Sequence, residues 1–171
     1  MKTLLVYESM WGNTKTVAET IAGALGDDAT LVEVRGAPTT LPPDIDLLVV
    51  GGPTHAFSMS RPSTRHDAET KGADASHTDT GIREWLEALP SSDVRVATFD
   101  TRVGSVRHLP GSAARAAAKE VRRHHLGRLV DTQSFYVADT DGPLLDGELD
   151  RARGWAQRLI PERKEPHRRI T

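Results

Sequence analysis

Short apolar runs and helical periodicities alternate along this chain. Residues 2–8 read as a strand, and 13–25 as a helix with Val17, Ala18, Ile21, Ala22 and Leu25 on one face, stopped at Gly26. Leu31-Val32-Glu33-Val34 is a short second strand. Residues 35–45 hold three prolines and leave room for little more than one helical turn. Asp46-Leu47-Leu48-Val49-Val50-Gly51 forms the third strand. Ile82, Trp85, Leu86 and Leu89 recur at i, i+3, i+4, i+7 and predict a helix over 81–89, with Trp85 packed in the core. Residues 93–99 form the fourth strand, 112–125 an Ala-rich helix and 128–137 the fifth strand, without interruption. Asp146 is expected to cap a last helix that carries Leu149, Ala152, Ala156 and Leu159 inward, with Trp155 as packing.

Strands separated by helices imply an α/β protein: a parallel sheet covered on both faces, in three layers. Five strands in the order 2-1-3-4-5 fit this doubly wound arrangement, with a ligand at the switch between strands 1 and 3. One domain over residues 1–160 is expected, with a disordered tail at 161–171, rich in Arg, Lys and Pro. Residues 58–80 are polar, with Met59 as the one sizeable apolar residue, and read as a long loop beside the ligand.

The loop after the first strand carries the most specific chemistry. Ser9-Met10-Trp11-Gly12-Asn13-Thr14 joins a strand to a helix start and offers hydroxyl and amide side chains, a glycine and only one neighbouring cation, Lys15. Backbone N–H groups and hydroxyls at a helix N-terminus hold a phosphate without a salt bridge. Neither the G-x-x-x-x-G-K-[ST] of a Walker loop nor the G-x-G-x-x-G of a dinucleotide site is present there. A phosphorylatable receiver domain, which shares the topology, would need an Asp at the end of the third strand, where this chain has Gly51-Gly52.

At these residues the chain resembles the flavodoxin family, whose phosphate loop reads S/T-x-T-G-x-T. Ser9, Gly12 and Thr14 match it, and Trp11 departs from it. Gly51-Gly52-Pro53-Thr54-His55 is similar to the family's second flavin loop, and the resemblance covers about the first 160 residues. It implies FMN as the only redox centre. Ser9, Met10, Trp11, Gly12, Asn13 and Thr14 would face the phosphate, Thr14 with both its hydroxyl and its N–H. Pro53, Thr54, His55, Ala56 and Phe57 would lie beside the ring, and Asp100, Thr101, Arg102, Val103 and Gly104 would form the third loop. The family usually stacks an aromatic residue from that third loop on the ring, but none occurs between Phe99 and Phe135. Arg102 or His108 would line the ring instead, unless Arg102 is a solvated loop residue. The uninterrupted fifth strand places the resemblance in the short-chain branch.

Composition narrows the function. Net charge is −2, which gives no electrostatic case for nucleic acid or a membrane surface, and is far from the strong acidity of electron-carrier flavodoxins. There is no cysteine, so redox chemistry must come from a bound cofactor. His124 and His125 are adjacent and point apart, so no metal site is expected. No apolar run approaches the roughly eighteen residues of a membrane span, so a cytoplasmic protein is expected. Arg61, Arg65, Arg102 and Arg107, against Asp67 and Asp100, predict a net-positive rim around the ring. Three functions are compatible: an electron carrier serving a redox partner protein, an FMN-dependent NAD(P)H:quinone-type oxidoreductase reducing a small-molecule oxidant, and a binding module that has lost FMN. The intact first loop argues against the third. The oligomeric state is not legible.

Overall fold

The computed structural model describes residues 1–74 and 79–162. The expected tail is therefore described only at Pro161 and Glu162, and residues 75–78 of the expected 58–80 loop lie outside the described residues. Strands β1 (Thr3–Tyr7), β2 (Ala29–Glu33), β3 (Leu47–His55), β4 (Ser58–Met59), β5 (Arg95–Val103) and β6 (Arg128–Val137) alternate with helices α1 (Asn13–Leu25), α2 (Pro62–Thr70), α3 (Ile82–Ala88), α4 (Ala113–Arg123) and α5 (Glu148–Leu159). The main sheet runs β2-β1-β3-β5-β6, all parallel, and β4 pairs antiparallel with the end of β3. The order read from the sequence holds, with the short β4 added at the edge of the switch.

Period-2 alternation sorts the strand side chains into two cores. Leu4, Val6, Leu48, Val50 and Val96 face Ile82, Trp85 and Leu86 of α3 and Ala113, Ala117 and Val121 of α4. Leu5, Tyr7, Leu47, Val49, Ala97 and Phe99 face Val17, Ala18 and Ile21 of α1 and Ala152, Trp155 and Ala156 of α5. Phe99, Phe135 and Trp155 meet edge to face in that second core, with centroids 6.0 to 6.2 Å apart. Both tryptophans expected in the core are there, and each indole N–H is satisfied: Trp85 donates to Pro38 O at 2.9 Å and Trp155 to Asp131 Oδ2 at 2.9 Å. Gly51 faces the Phe99 ring so closely that a Cβ would collide with it.

The structure corrects the sequence reading in four places. Residues 58–70 are not a loop: β3 runs on to His55, turns through Ala56 and Phe57 into β4, and leads into α2. The turn carries positive φ at both central residues, 46° and 62°, without the Asn-Gly pair that usually announces such a hairpin. Pro62 opens α2, a position where its fixed φ suits a helix. Arg65, expected on an open rim, is fully buried. The last helix is capped by Gly147 at φ 83° and not by Asp146. Finally, β5 extends to Val103, so Asp100, Thr101, Arg102 and Val103 belong to a strand paired with β6 and not to a loop.

Candidate functional site

The carboxyl ends of β1, β3 and β5 meet at the strand switch, and an open cleft lies over them. Met10, Trp11, Asn13 and Thr14 line it from the first loop, and Pro53, Thr54 and His55 from the end of β3. Thr101, Arg102 and Val103 line it from the end of β5. Ten of the sixteen residues expected from sequence thus share one cavity. Two lining residues were missed: Val137, which ends the last strand, and Thr140, in the turn after it. The same strand-end rule that placed the other loops applies to β6, and the Asp139-Thr140-Asp141-Gly142-Pro143 turn marks its end.

The remaining six sit elsewhere. Ser9 Oγ turns inward and accepts from the N–H of Gly12 at 3.1 Å and of Lys15 at 3.2 Å, so it folds the loop around itself. Gly12, at φ 92°, closes that turn, and space beyond its Cα is open. Asp100 is buried on the α4 side and accepts from Ala114 N at 2.8 Å, capping α4; burial raises its carboxyl. Ala56 borders a side hollow, Phe57 is 47 % exposed at the hairpin tip, and Gly104 packs on Leu145.

Several polar groups in the cleft are already engaged. Thr14 Oγ1 pairs with Thr101 Oγ1 at 2.7 Å, and both residues are buried. Thr54 Oγ1 accepts from Ala113 N at 2.9 Å, a second cap for α4. Asn13 Nδ2 donates to Asp141 O at 3.1 Å, and Gly142 (φ 105°) packs against its amide where a Cβ would lie 2.7 Å from Oδ1. Only a glycine admits that approach. Arg102, 6 % exposed, is neither a solvated loop residue nor a free rim charge. Its Nη2 donates to Val106 O at 2.9 Å and Leu109 O at 3.2 Å, bracing the turn that follows β5.

Other donors are left over. The N–H groups of Asn13 and Thr14 stand in the first turn of α1, where no helix carbonyl reaches them. Among the described residues, Trp11 Nε1 and Arg102 Nε are buried and find no hydrogen-bond partner. A buried unpaired donor costs about 1–3 kcal/mol, so a cleft with two of them is built to meet acceptors. A phosphate ester with a polar chain and a carbonyl-bearing ring, the chemistry of FMN, offers such acceptors, and the residues present fit it.

His55 stands between the cleft and the side hollow lined by Thr64, Asp67, Ala68 and Lys71. Its Nδ1 pairs with Thr64 Oγ1 at 3.1 Å. Burial, and then the nearby Arg65 charge, push the imidazole down to about 4, so it is neutral at pH 7.

Beneath the cleft lies a buried ionic brace that sequence reasoning missed. Glu8, 1 % exposed, accepts from Ser60 Oγ and from Ile82 N at 2.9 Å. Arg65 donates to Ser60 Oγ at 2.8 Å and to Glu84 Oε1 at 2.7 Å. Burial raises the Glu8 carboxyl against these bonds. Burial also acts to raise Glu84, but the hydrogen bonds from Arg65 and the backbone outweigh it and hold it below the usual range. Glu8 directly follows the first strand, immediately before Ser9, so the brace ties the first loop to α2 and α3.

No family model matches the chain, and no curated protein matches it. Solved structures do. A flavodoxin from the domain Archaea is similar at 20 % identity and a TM-score of 0.60, covering 93 % of this chain and 96 % of its own. An oxidised flavodoxin from Bacillus cereus is similar at 14 % identity and 0.57, covering 91 % and 95 %. A two-electron reduced flavodoxin from Megasphaera elsdenii is similar at 17 % identity and 0.53, covering 91 % and 98 %. The chain has the flavodoxin-like α/β fold over nearly its whole length.

Proposed function

We propose that the cleft binds FMN and that the protein is an electron carrier with FMN as its redox centre. The observation that carries this reading is the convergence of ten sequence-expected residues on one cleft whose Trp11 Nε1 and Arg102 Nε lack partners. The N–H groups of Asn13 and Thr14 would hold the phosphate at the α1 N-terminus. Trp11 and Arg102 would donate to the acceptors beyond it, and Pro53, Thr54 and His55 would wall the ring. The bound flavin supplies the redox chemistry; the protein supplies binding, orientation and electrostatics. His55, neutral at pH 7, brings no positive charge to the ring and acts through hydrogen bonding. The neutral Thr14–Thr101 pair keeps the floor of the cleft ordered. Flavodoxins of this fold, named in oxidised and two-electron reduced forms, support the reading.

A second reading, an FMN-dependent NAD(P)H:quinone-type oxidoreductase, is favoured by one feature. The cleft shares Trp11, Thr54, His55 and Thr140 with the side hollow under α2, which leaves space beside a bound ring. Heat-released cofactor from the purified protein, run on chromatography, tests the shared premise: FMN is expected, and FAD, or no flavin after incubation with excess FMN, contradicts it. Steady-state turnover with NAD(P)H and a quinone then separates the two, with slow turnover expected of a carrier.

A further inference from the structure

Of the described residues that line the cleft, Arg102 alone carries a charge at neutral pH. His55 is the only other titratable side chain among them, and burial holds it neutral. Arg102 is 6 % exposed; its Nη2 donates to Val106 O and Leu109 O, and its Nε has no partner. Neutral carbonyls do not cancel its charge, and among the described residues no carboxylate pairs with it. The surrounding carboxyls are engaged or screened. Asp100 shares its face of β5 but caps α4 through Ala114 N, and burial pushes that carboxyl toward its neutral form. Glu8 and Glu84 are held by Ser60 and Arg65 in the brace. Asp139 and Asp141 flank the cleft-lining Thr140 but are exposed, so water and salt screen them.

A buried charge without a counter-charge is costly, and an anion supplied by the ligand removes that cost. The phosphate is not that anion. Thr101 contacts Thr14 at the N-terminus of α1, and successive strand residues face opposite sides of the sheet. Arg102 therefore lies on the α4 side, bonded to the turn after β5, away from the end that would take the phosphate. The oxidised isoalloxazine ring is neutral. Two electrons from a reductant and one proton from solvent convert it, above neutral pH, into a reduced ring with one negative charge. Taking FMN as the ligand, we infer that Arg102 is the counter-charge for the reduced ring, so that the cleft binds reduced FMN more tightly than oxidised FMN. By linkage, tighter binding of the reduced form makes the bound couple less negative than the free one. Each tenfold in affinity is worth about 30 mV for a two-electron couple. Unlike a rim of exposed arginines, a buried charge acts with little screening.

Dithionite titration of the FMN-loaded full chain at about pH 8, read by visible spectrum against a redox dye, tests this. The two-electron midpoint of bound FMN should lie at least about 30 mV above that of free FMN, a tenfold preference for the reduced form. Arg102→Gln keeps a donor, removes the charge and should erase the preference. Arg102→Lys keeps the charge and should hold the midpoint above that of Arg102→Gln. Trp11→Phe removes a neutral donor from the same cleft, so it should weaken both forms alike and leave the midpoint in place. Arg107→Gln removes an exposed charge and should also leave it in place, and high salt should change it little. The parent midpoint needs no variant, so the test stands even where Arg102→Gln fails to fold. A bound midpoint at or below that of free FMN overturns the inference and leaves FMN binding intact. So does equal weakening of both forms by Arg102→Gln, which would give the guanidinium to the phosphate or to the turn alone. No flavin bound in either state overturns the FMN reading, and this inference with it.

Discussion

The brace beneath the cleft and the cleft itself treat polar groups in opposite ways. Below, Glu8, Ser60, Arg65 and Glu84 are packed among one another and the N–H of Ile82, so each buried charge meets a donor or acceptor from the protein. Above, the floor is neutral and Trp11 Nε1 and Arg102 Nε are left without partners. Both regions hang on the end of β1, one residue apart at Glu8 and Ser9. Polar groups that hold the fold are saturated by the protein, whereas those that serve a ligand are left for the ligand to saturate. Disturbing the first should therefore cost stability, and disturbing the second should cost binding.

The brace should break hardest. Arg65→Met leaves the buried Glu8 and the partly exposed Glu84 without their cation, and a loss of about 3–5 kcal/mol in denaturant unfolding is expected. A loss under 1 kcal/mol would mean the carboxylates do not depend on the arginine. Gly81→Ala places a Cβ 2.5 Å from Arg65 Nη1 and 2.6 Å from Glu8 Oε2, at a backbone conformation any residue adopts. The cost should be about 1–3 kcal/mol from overpacking alone, and it should shrink in the Arg65→Met background because the two share the same space.

Thr14→Val sits on the boundary between the regions. It removes the bond to Thr101 and should lower stability by about 1 kcal/mol, while FMN affinity by flavin-fluorescence titration should fall about tenfold, or 1.4 kcal/mol. Stability lost with affinity unchanged would assign the hydroxyl to Thr101 alone. The smallest effect concerns His55, whose imidazole is held down to about 4 by burial and by Arg65, against an ordinary 6.5. Between those values the unfolded chain binds a proton that the folded one refuses, so stability is full above pH 6.5 and falls as pH drops toward 4. Glu8 and Asp100, raised by burial, act in the opposite direction. His55→Gln should flatten the acid-side slope relative to the parent protein, and an unchanged slope would show that His55 does not contribute to it.

The sheet order was legible because each strand pairs a short apolar run with a following turn, and Leu4 through Tyr7 alternate between two cores as their spacing demands. The first loop was legible because a strand, a small-residue loop and a helix start carry their chemistry in consecutive residues. What could not be read were contacts between distant polar residues. Nothing local to Arg65 says that Glu84, nineteen positions on, will bury it. Asp100, Thr101 and Arg102 look like loop because they are polar, but each finds a partner on another element or on the next turn, and the strand continues. The Ala56–Phe57 turn hid for the same reason that its residues are unusual there.

The central claim is that the cleft leaves donors open for FMN. The chain has three tryptophans, and two of their indole N–H groups are already bonded, to Pro38 and Asp131. Trp11 alone has an unpartnered indole N–H and lines the cleft. In the ¹H–¹⁵N spectrum of cofactor-free protein, with the Trp11 signal identified by Trp11→Phe, one equivalent of FMN should move the Trp11 indole resonance and leave those of Trp85 and Trp155 in place. FMN that shifts none of the three, or that binds while moving only Trp85 or Trp155, would contradict the account.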